Sequence, residues 1–321
     1  MGQSEPIVAH LASTMKAASE GLRLKVLACL GSNSFGVGEL ADIFAMPQPG
    51  MSHHLRILAN AKLVESRREG NSIFYRRPLW QKSHPLHGLV DQIFHQVDTI
   101  ELAAEELARI EGVRSQRSLA SRGFFSKHAH NFSESQSLIA DYKNYGSSLN
   151  DLLESLKITK DSSALEIGPG DGAFLKALST KFKTVYAADN SSEMLAVTKK
   201  VSEASGLDNI VWFEGESQDF IKKNIKVDLL ALVMVLHHMP SPNQIFEDTQ
   251  KLLKPGGALL ICDLCSHQED WVRESCGDLW LGFAPSDIEN WATKAGLNAG
   301  PKLFLGLKNG FQIQLRLFFN T

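Results

Sequence analysis

The stretch ALEIGPGDGAF, residues 164–174, decides how the rest of the chain is read. A short apolar run reads as a strand, glycines at 168, 170 and 172 make a turn, and a helical pattern follows. Such a strand–turn–helix unit offers free backbone N–H groups and a close main-chain approach to a ligand. Dinucleotide-binding enzymes use a related turn, so the glycine spacing alone does not choose between ligands. Two carboxylates do. Glu166 lies at the turn, where it repels a pyrophosphate and attracts an ammonium or sulfonium group. Asp189 ends the next strand, 17 residues after Gly172, where a carboxylate accepts both hydroxyls of a ribose.

Working outward, strands and helices alternate from Ser162 onward. TVYAAD (184–189), IVWFEG (210–215), VDLLALVMVL (227–236) and GGALLICDL (256–264) read as strands, with helices over 172–182 and 191–204. Runs that are apolar throughout imply a sheet buried on both faces, the pattern of an open α/β fold. PKLFLGLKNGFQIQLRLFF (301–319) reads as an antiparallel edge hairpin around Lys308-Asn309-Gly310.

The rhythm up to Ile110 is instead helical, broken by LVESRREGNSIFYRR (63–77). Glu69-Gly70-Asn71 is expected to be its hairpin turn, since Gly and Asn tolerate positive φ. Residues 86–110 are expected to form one helix. Residues 111–161 are polar and helical and read as a connector with a lid helix carrying Tyr142 and Tyr145. The expected divisions are therefore 1–100, 101–160 and 161–321.

A chain of 321 residues, 43% hydrophobic and 21% charged, suits two ordinary globular domains. Its net charge of −3 confines any nucleic-acid role to a local patch. Four cysteines make no disulfide framework. Residues 1–10 lack the basic and apolar regions of a signal peptide, and the longest apolar run, 229–236, is too short to span a membrane. A reducing cytoplasm is the expected compartment.

Within FGVGELADIFAMPQPGMSHHLRILANAKLV (35–64), a helix over 37–45 meets a turn and a second helix beginning near Gln48. Pro47 and Pro49 fit only at the start of that helix. Its N-terminal end is the one that enters a major groove, which places Gln48, Gly50, Met51, Ser52, His53 and Arg56 near bases or phosphates. The hairpin carries Arg67, Arg68, Arg76 and Arg77, and from Arg56 to Lys82 seven basic residues face two acidic ones. These are candidate phosphate contacts.

RLKVLACL (23–30), SHHLRIL (52–58) and the EGN-x-x-FY string resemble, in order, the ArsR/SmtB family of dimeric winged-helix repressors over about the first 80 residues. That resemblance implies double-stranded operator DNA as partner and a homodimer. The family's cysteine pair is missing from 38–42. Lys82 stands at the first ligand position of its other metal site, so no metal is expected there despite His84, His95 and Asp98.

From about Tyr142 onward the chain resembles the class I S-adenosylmethionine-dependent methyltransferases. LEIGPGDG, Asp189, IVWFEG, VMVLHHMPSP (233–242) and LLKPGGALLICDL (252–264) match in order. The resemblance implies a Rossmann-like domain with a mostly parallel seven-stranded sheet and an antiparallel terminal hairpin, binding S-adenosyl-L-methionine. Glu166, Gly168, Gly170 and Gly172 would surround its methionine part. Asp189 would hold the ribose, Asn190 and Met194 would lie beside the adenosine, and Glu216 and Ser217 near the adenine. His237 and His238 follow the fourth strand and are candidate bases. The Asn/Asp-Pro-Pro-Tyr string of amino-group enzymes is absent, which favours a small-molecule acceptor. Two functions stay open: a DNA-binding regulator that also methylates a small molecule, or a repressor that senses S-adenosylmethionine or S-adenosylhomocysteine without turnover.

Overall fold

The computed structural model describes residues 4–31, 33–69 and 72–320. The chain divides into two compact units, one reaching Gln116 and one starting at Arg117, instead of the three expected segments. The connector forms no body of its own. Ile110 and Val113, within it, join the core of the N-terminal unit, while Ile139, Tyr145, Leu149 and Leu153 join that of the C-terminal unit.

In the N-terminal unit, helices Ser4–Ala17, Gly21–Cys29, Val37–Ile43, Gln48–Asn60 and His87–Val97 accompany a three-stranded antiparallel sheet. Its strands are β1 (Phe35–Gly36), β2 (Glu65–Glu69) and β3 (Ser72–Arg76), in the order β1-β3-β2. Both Glu20 oxygens cap Gly21–Cys29, accepting from the Leu22 and Arg23 amides at 3.0 Å. Pro47 precedes Gln48–Asn60, and Ala45 turns the chain with φ 51°. Gly70 and Asn71, the tip of the expected hairpin turn, lie outside the described residues; Glu69 and Ser72 face each other on either side of them.

The single helix expected over 86–110 is two helices. The first stops at Val97, and Ala104 begins a second that runs to His128. Local bonds compete with the helix ladder here: Thr99 Oγ1 donates to the Gln96 carbonyl at 2.7 Å, and Glu106 accepts from the Ala103 amide at 2.8 Å. Arg77 holds the break in place. It is not part of a solvated basic wing but 9% exposed, donating to the Leu27 carbonyl at 2.7 Å and pairing with Asp98 at 2.8 Å.

In the C-terminal unit the strands are β4 (Ser163–Ile167), β5 (Thr184–Asp189), β6 (Ile210–Glu214), β7 (Val227–Val233), β8 (Leu253–Leu264), β9 (Leu297–Gly306) and β10 (Gln312–Asn320). Their order is β6-β5-β4-β7-β8-β10-β9; β4 to β8 are parallel, and β10 is antiparallel to both neighbours. The expected mostly parallel sheet and its terminal hairpin are therefore present, the hairpin turning at Gly310 with φ 93°. Strand order reverses at β4, with β5 on one side and β7 on the other, so a crevice opens beyond their carboxyl ends. Among the described residues no helix is long and apolar enough to cross a membrane.

Replacing Arg77 with Ala removes a buried charged donor and leaves the Leu27 carbonyl unpaired. We expect the N-terminal unit to lose about 2 kcal/mol, read as faster amide exchange in Gly21–Cys29 and a lower urea midpoint. Unchanged exchange there would refute the anchoring role.

Candidate functional site

Leaving β4, the main chain passes through the left-handed region at Gly168 (φ 66°), Gly170 (φ 56°) and Gly172 (φ 81°). Space as well as φ requires glycine. A Cβ at 168 would meet Val235 at 2.3 Å, and one at 170 would meet the Phe132 ring at 2.7 Å. The Gly168 amide donates to the Ala188 carbonyl at 2.8 Å, which ties the turn to the end of β5, and Thr198 Oγ1 donates to the Gly170 carbonyl at 2.5 Å. The helix after the turn is Leu175–Lys181, three residues later than expected, since the turn extends beyond Gly172.

Glu166 sits beneath this turn, 1% exposed, and its Oε2 has no hydrogen-bond partner among the described residues. Burial pushes its carboxyl well above the usual range, and the charge of Asp171 adds to the shift. A sealed carboxylate oxygen without a donor is costly and calls for a cation or an N–H beside it. Burial, with Glu166 as the next cause, also pushes the Tyr142 hydroxyl up to about 12.

Asp189 closes β5 with its Oδ1 accepting from the Ser191 amide at 2.9 Å. Burial pushes its carboxyl up to about 6, against backbone hydrogen bonds from Ser191 and Asn190 that lower it. Met194 is buried in the first turn of Ser192–Ala204, a helix capped by Ser191. Asn190 Nδ2 donates to Glu216 Oε1 at 3.2 Å, and Ser118 Oγ donates to the same oxygen at 2.9 Å. The carboxyl edge of β4 and β5 thus gathers Glu166, the three glycines, Asp189, Asn190, Met194 and Glu216. The Ser217 hydroxyl donates to Asp248 at 2.6 Å, on the neighbouring helix Gln244–Leu252.

His237 and His238 follow β7 in a short turn, Leu236–His238. His237 is fully buried, with Nδ1 2.8 Å from Asp263 Oδ1 and its carbonyl accepting from the Leu279 and Trp280 amides. Burial lowers its proton affinity, yet Asp263 and Asp278 outweigh this and hold the pKa at about 9. His238 is 5% exposed. Its Nδ1 lies 3.2 Å from the Gly277 carbonyl and its Nε2 3.3 Å from Gln136 Nε2, and burial, with the charge of His237, holds it well below the usual imidazole range. Both rings are sealed from solvent, so the geometry gives no open general base at either position.

Sequence reasoning missed Ser118, Phe132, Val235 and Asp278 as neighbours of these groups. Only Asp263, following the apolar run of β8, carried a visible signal.

In the N-terminal unit, Gln48, His53 and Arg56 are exposed and Ser52 is half-buried on one side of Gln48–Asn60, while Leu55 and Leu58 are buried as expected. Met51 does not join the exposed set. It is 0% exposed, its side chain filling the core between the helices. Arg68 is exposed and Arg67 half-buried on β2, and Arg76 on β3 pairs with Glu65 across the ladder at 2.6 Å.

Comparison with known proteins finds a match in each unit. Residues 18–67 match a helix-turn-helix domain and residues 165–261 a methyltransferase domain. The chain is 31% identical over 100 residues to the ubiquinone biosynthesis O-methyltransferase of Actinobacillus pleuropneumoniae, covering 30% of this chain and 42% of that protein. It is 24% identical over 151 residues to the corresponding protein of Coxiella burnetii, covering 43% and 64%. The N-terminal part is 35% identical over 77 residues to the HTH-type transcriptional regulator KmtR of Mycobacterium tuberculosis, covering 24% and 57%. The chain thus spans less than two thirds of each of these relatives. Among solved structures, the N-methyltransferase NodS of Bradyrhizobium japonicum, in complex with S-adenosyl-L-homocysteine, is 22% identical with a TM-score of 0.44, covering 54% of this chain and 84% of NodS. The YcgJ protein of Bacillus subtilis is 13% identical with a TM-score of 0.47, covering 55% and 98%. The chain carries a helix-turn-helix domain followed by a methyltransferase domain.

At Gly168 an alanine has both a disfavoured φ and a Cβ inside the Val235 side chain. We expect Gly168→Ala to destabilise the C-terminal unit by about 1–3 kcal/mol, read as a lower urea midpoint; a neutral effect would show that the turn relaxes freely.

Proposed function

We propose that the C-terminal unit binds S-adenosylmethionine and transfers its methyl group to a small-molecule acceptor, and that the N-terminal unit binds double-stranded operator DNA as a homodimer. The observation that carries the first half is Glu166, a buried carboxylate with an unpartnered oxygen beneath a turn that only glycine can form. An aminoacyl sulfonium brings the ammonium and positive charge this oxygen lacks, whereas a dinucleotide would bring a pyrophosphate.

The fit extends along the edge of the sheet. Asp189 presents a carboxylate for both ribose hydroxyls, and Asn190, Met194 and Glu216 continue the line toward the base. When bound, S-adenosylmethionine supplies an electrophilic methyl group. The protein's part is then alignment, since in-line displacement needs the acceptor atom held against the methyl carbon. Phe132 packs its ring against Gly170 at that end. The ubiquinone-biosynthesis O-methyltransferases among the relatives support a hydroxyl-bearing acceptor. His237 and His238 are not assigned the acceptor's proton, because both are sealed.

Sensing is the second reading. Ser118 donates to Glu216 within the C-terminal unit, and a nucleoside that engages Glu216 competes for that bond. Coupling to DNA binding must then be reciprocal.

In the N-terminal unit, Gln48, Ser52, His53 and Arg56 face a major groove in this proposal, and Arg67, Arg68 and Arg76 contact phosphates. The KmtR similarity supports a regulator.

Calorimetric titration with S-adenosylmethionine tests the cofactor. We expect saturable binding that Asp189→Ala abolishes while the circular dichroism spectrum is kept. Because the free carboxyl titrates at about 6 and its ionised form is the better hydroxyl acceptor, affinity should fall as pH drops below that value. Absence of binding at neutral pH would refute the proposal. Repeating the titration with operator DNA present tests sensing: equal affinities with and without DNA would remove it. For the wing, Arg67→Ala with Arg68→Ala should weaken DNA binding and reduce the slope of log K against log salt by about 0.9 per lost phosphate contact. An unchanged slope would take both arginines off the interface.

A further inference from the structure

The loop after β7 and the segment around residue 278 bring His237, His238 and Asp278 together, each offering a ligand atom within 4.8 Å of the others. They are 0%, 5% and 2% exposed. Within the set, His237 Nε2 and both oxygens of Asp278 are buried with no hydrogen-bond partner among the described residues. Three orphaned polar atoms facing one another are expensive, unless something bridges them.

We propose that His237, His238 and Asp278 form a binding site for one divalent first-row transition-metal ion, with zinc the best match to its two-imidazole, one-carboxylate donor set. The site is distinct from the glycine turn and does not rest on the identity of the ligand bound there.

Distances favour an ion over a proton. Asp278 Oδ1 is 3.9 Å from His237 Nε2 and 3.8 Å from His238 Nδ1. Both separations are too long for a hydrogen bond. They approach the span of two ligands on a shared zinc, roughly 3.4 Å for bonds of about 2.1 Å at a tetrahedral angle, so a shift of about half an ångström brings Asp278 to ligand spacing with each histidine.

Asp263 Oδ1 and Asp278 Oδ1 lie 2.8 Å and 3.9 Å from the two ring nitrogens of His237. The surroundings are also those of a metal ligand: His237 directs Nδ1 to Asp263 Oδ1 at 2.8 Å, and Asp263 Oδ2 in turn accepts from the Leu236 amide at 2.9 Å. Such a carboxylate–imidazole pair fixes the tautomer that leaves Nε2 free to ligate. For His238, Nδ1 exchanges the Gly277 carbonyl for the ion, while Nε2 keeps Gln136 as its neighbour.

The test uses the full-length protein, stripped with a chelator and free of any nucleoside, titrated with Co2+ as a spectroscopic probe. We expect uptake of about one equivalent per chain with visible d–d bands, displaced by Zn2+. Asp278→Asn should weaken uptake by at least ~100-fold, and Asp263→Asn, which alters no ligand, by roughly 10–100-fold. Circular dichroism identifies variants that fail to fold. Should they all fail, the thermal midpoint of the wild-type C-terminal unit decides, since a native-state ligand must raise it. Wild-type protein with neither cobalt bands nor a Zn2+-induced rise overturns the proposal. So does a folded Asp278→Asn variant that takes up Co2+ unchanged, because the ion then sits elsewhere. S-adenosylmethionine binding is measured separately, so failure here and failure of the methyl-transfer proposal remain distinguishable.

Discussion

Beneath the glycine turn an acidic side chain is sealed from water with one oxygen unanswered, and the C-terminal unit is arranged around that fact. Glu166 is the penultimate residue of β4, at the point where strand order reverses, and its Oε2 finds no donor among the described residues. The turn above cannot be closed by side chains either, since Val235 and Phe132 already press on the Cα atoms of Gly168 and Gly170. What remains is main chain, an anion, and a crevice edged by a second carboxylate at Asp189. Such a place favours a ligand that is cationic at one end and carries vicinal hydroxyls further along.

The wall opposite is built from β7 and β8. Asp263, at the end of β8, bonds both the Leu236 amide and the His237 ring, and the His237 carbonyl receives the Leu279 and Trp280 amides. One buried residue thereby pins three segments: the loop after β7, the end of β8 and the 278–280 stretch. Rigidity here has a consequence for chemistry. A histidine that organises this much backbone is poorly suited to swing toward an acceptor, and burial deprives it of the exchange with solvent that a recycling base needs. Position at the carboxyl end of a strand is thus not sufficient evidence for a catalytic role.

How much of this was legible in the sequence follows from the range of the interactions. The α/β half was readable because uniformly apolar strands and a glycine-rich turn are local signals, and Glu166 and Asp189 have fixed offsets from that turn. The hairpin at Lys308-Asn309-Gly310 was readable for the same reason. The break at 98–103 was not, since the apolar spacing from Leu89 to Leu107 continues straight through it; Thr99, Glu106 and the Asp98–Arg77 pair stop the helix, and the last of these joins residues distant in sequence. Arg77 was miscounted as a wing cation because sequence shows charge but not depth. Met51 was misplaced by one helical face. Asp278 lies in a segment without periodicity, and only the folded chain brings it to His237.

The two units solve opposite electrostatic problems, and this separates their behaviour without reference to how they are joined. Arg56 and Arg68 are exposed cations, so their attraction for a polyanion is screened by salt over about 10 Å at 0.1 M. Glu166 and Asp278 are carboxyl groups held in the interior, where burial raises their proton affinity, mobile ions do not enter and screening is weak. On the proposed function, a rise in ionic strength would loosen DNA from the N-terminal unit and leave a ligand at the buried carboxyl largely untouched. Linkage between the units, where it exists, appears as a ligand-dependent offset on a steep salt line, and a shift in slope would instead mean that the ligand alters the number of phosphates contacted.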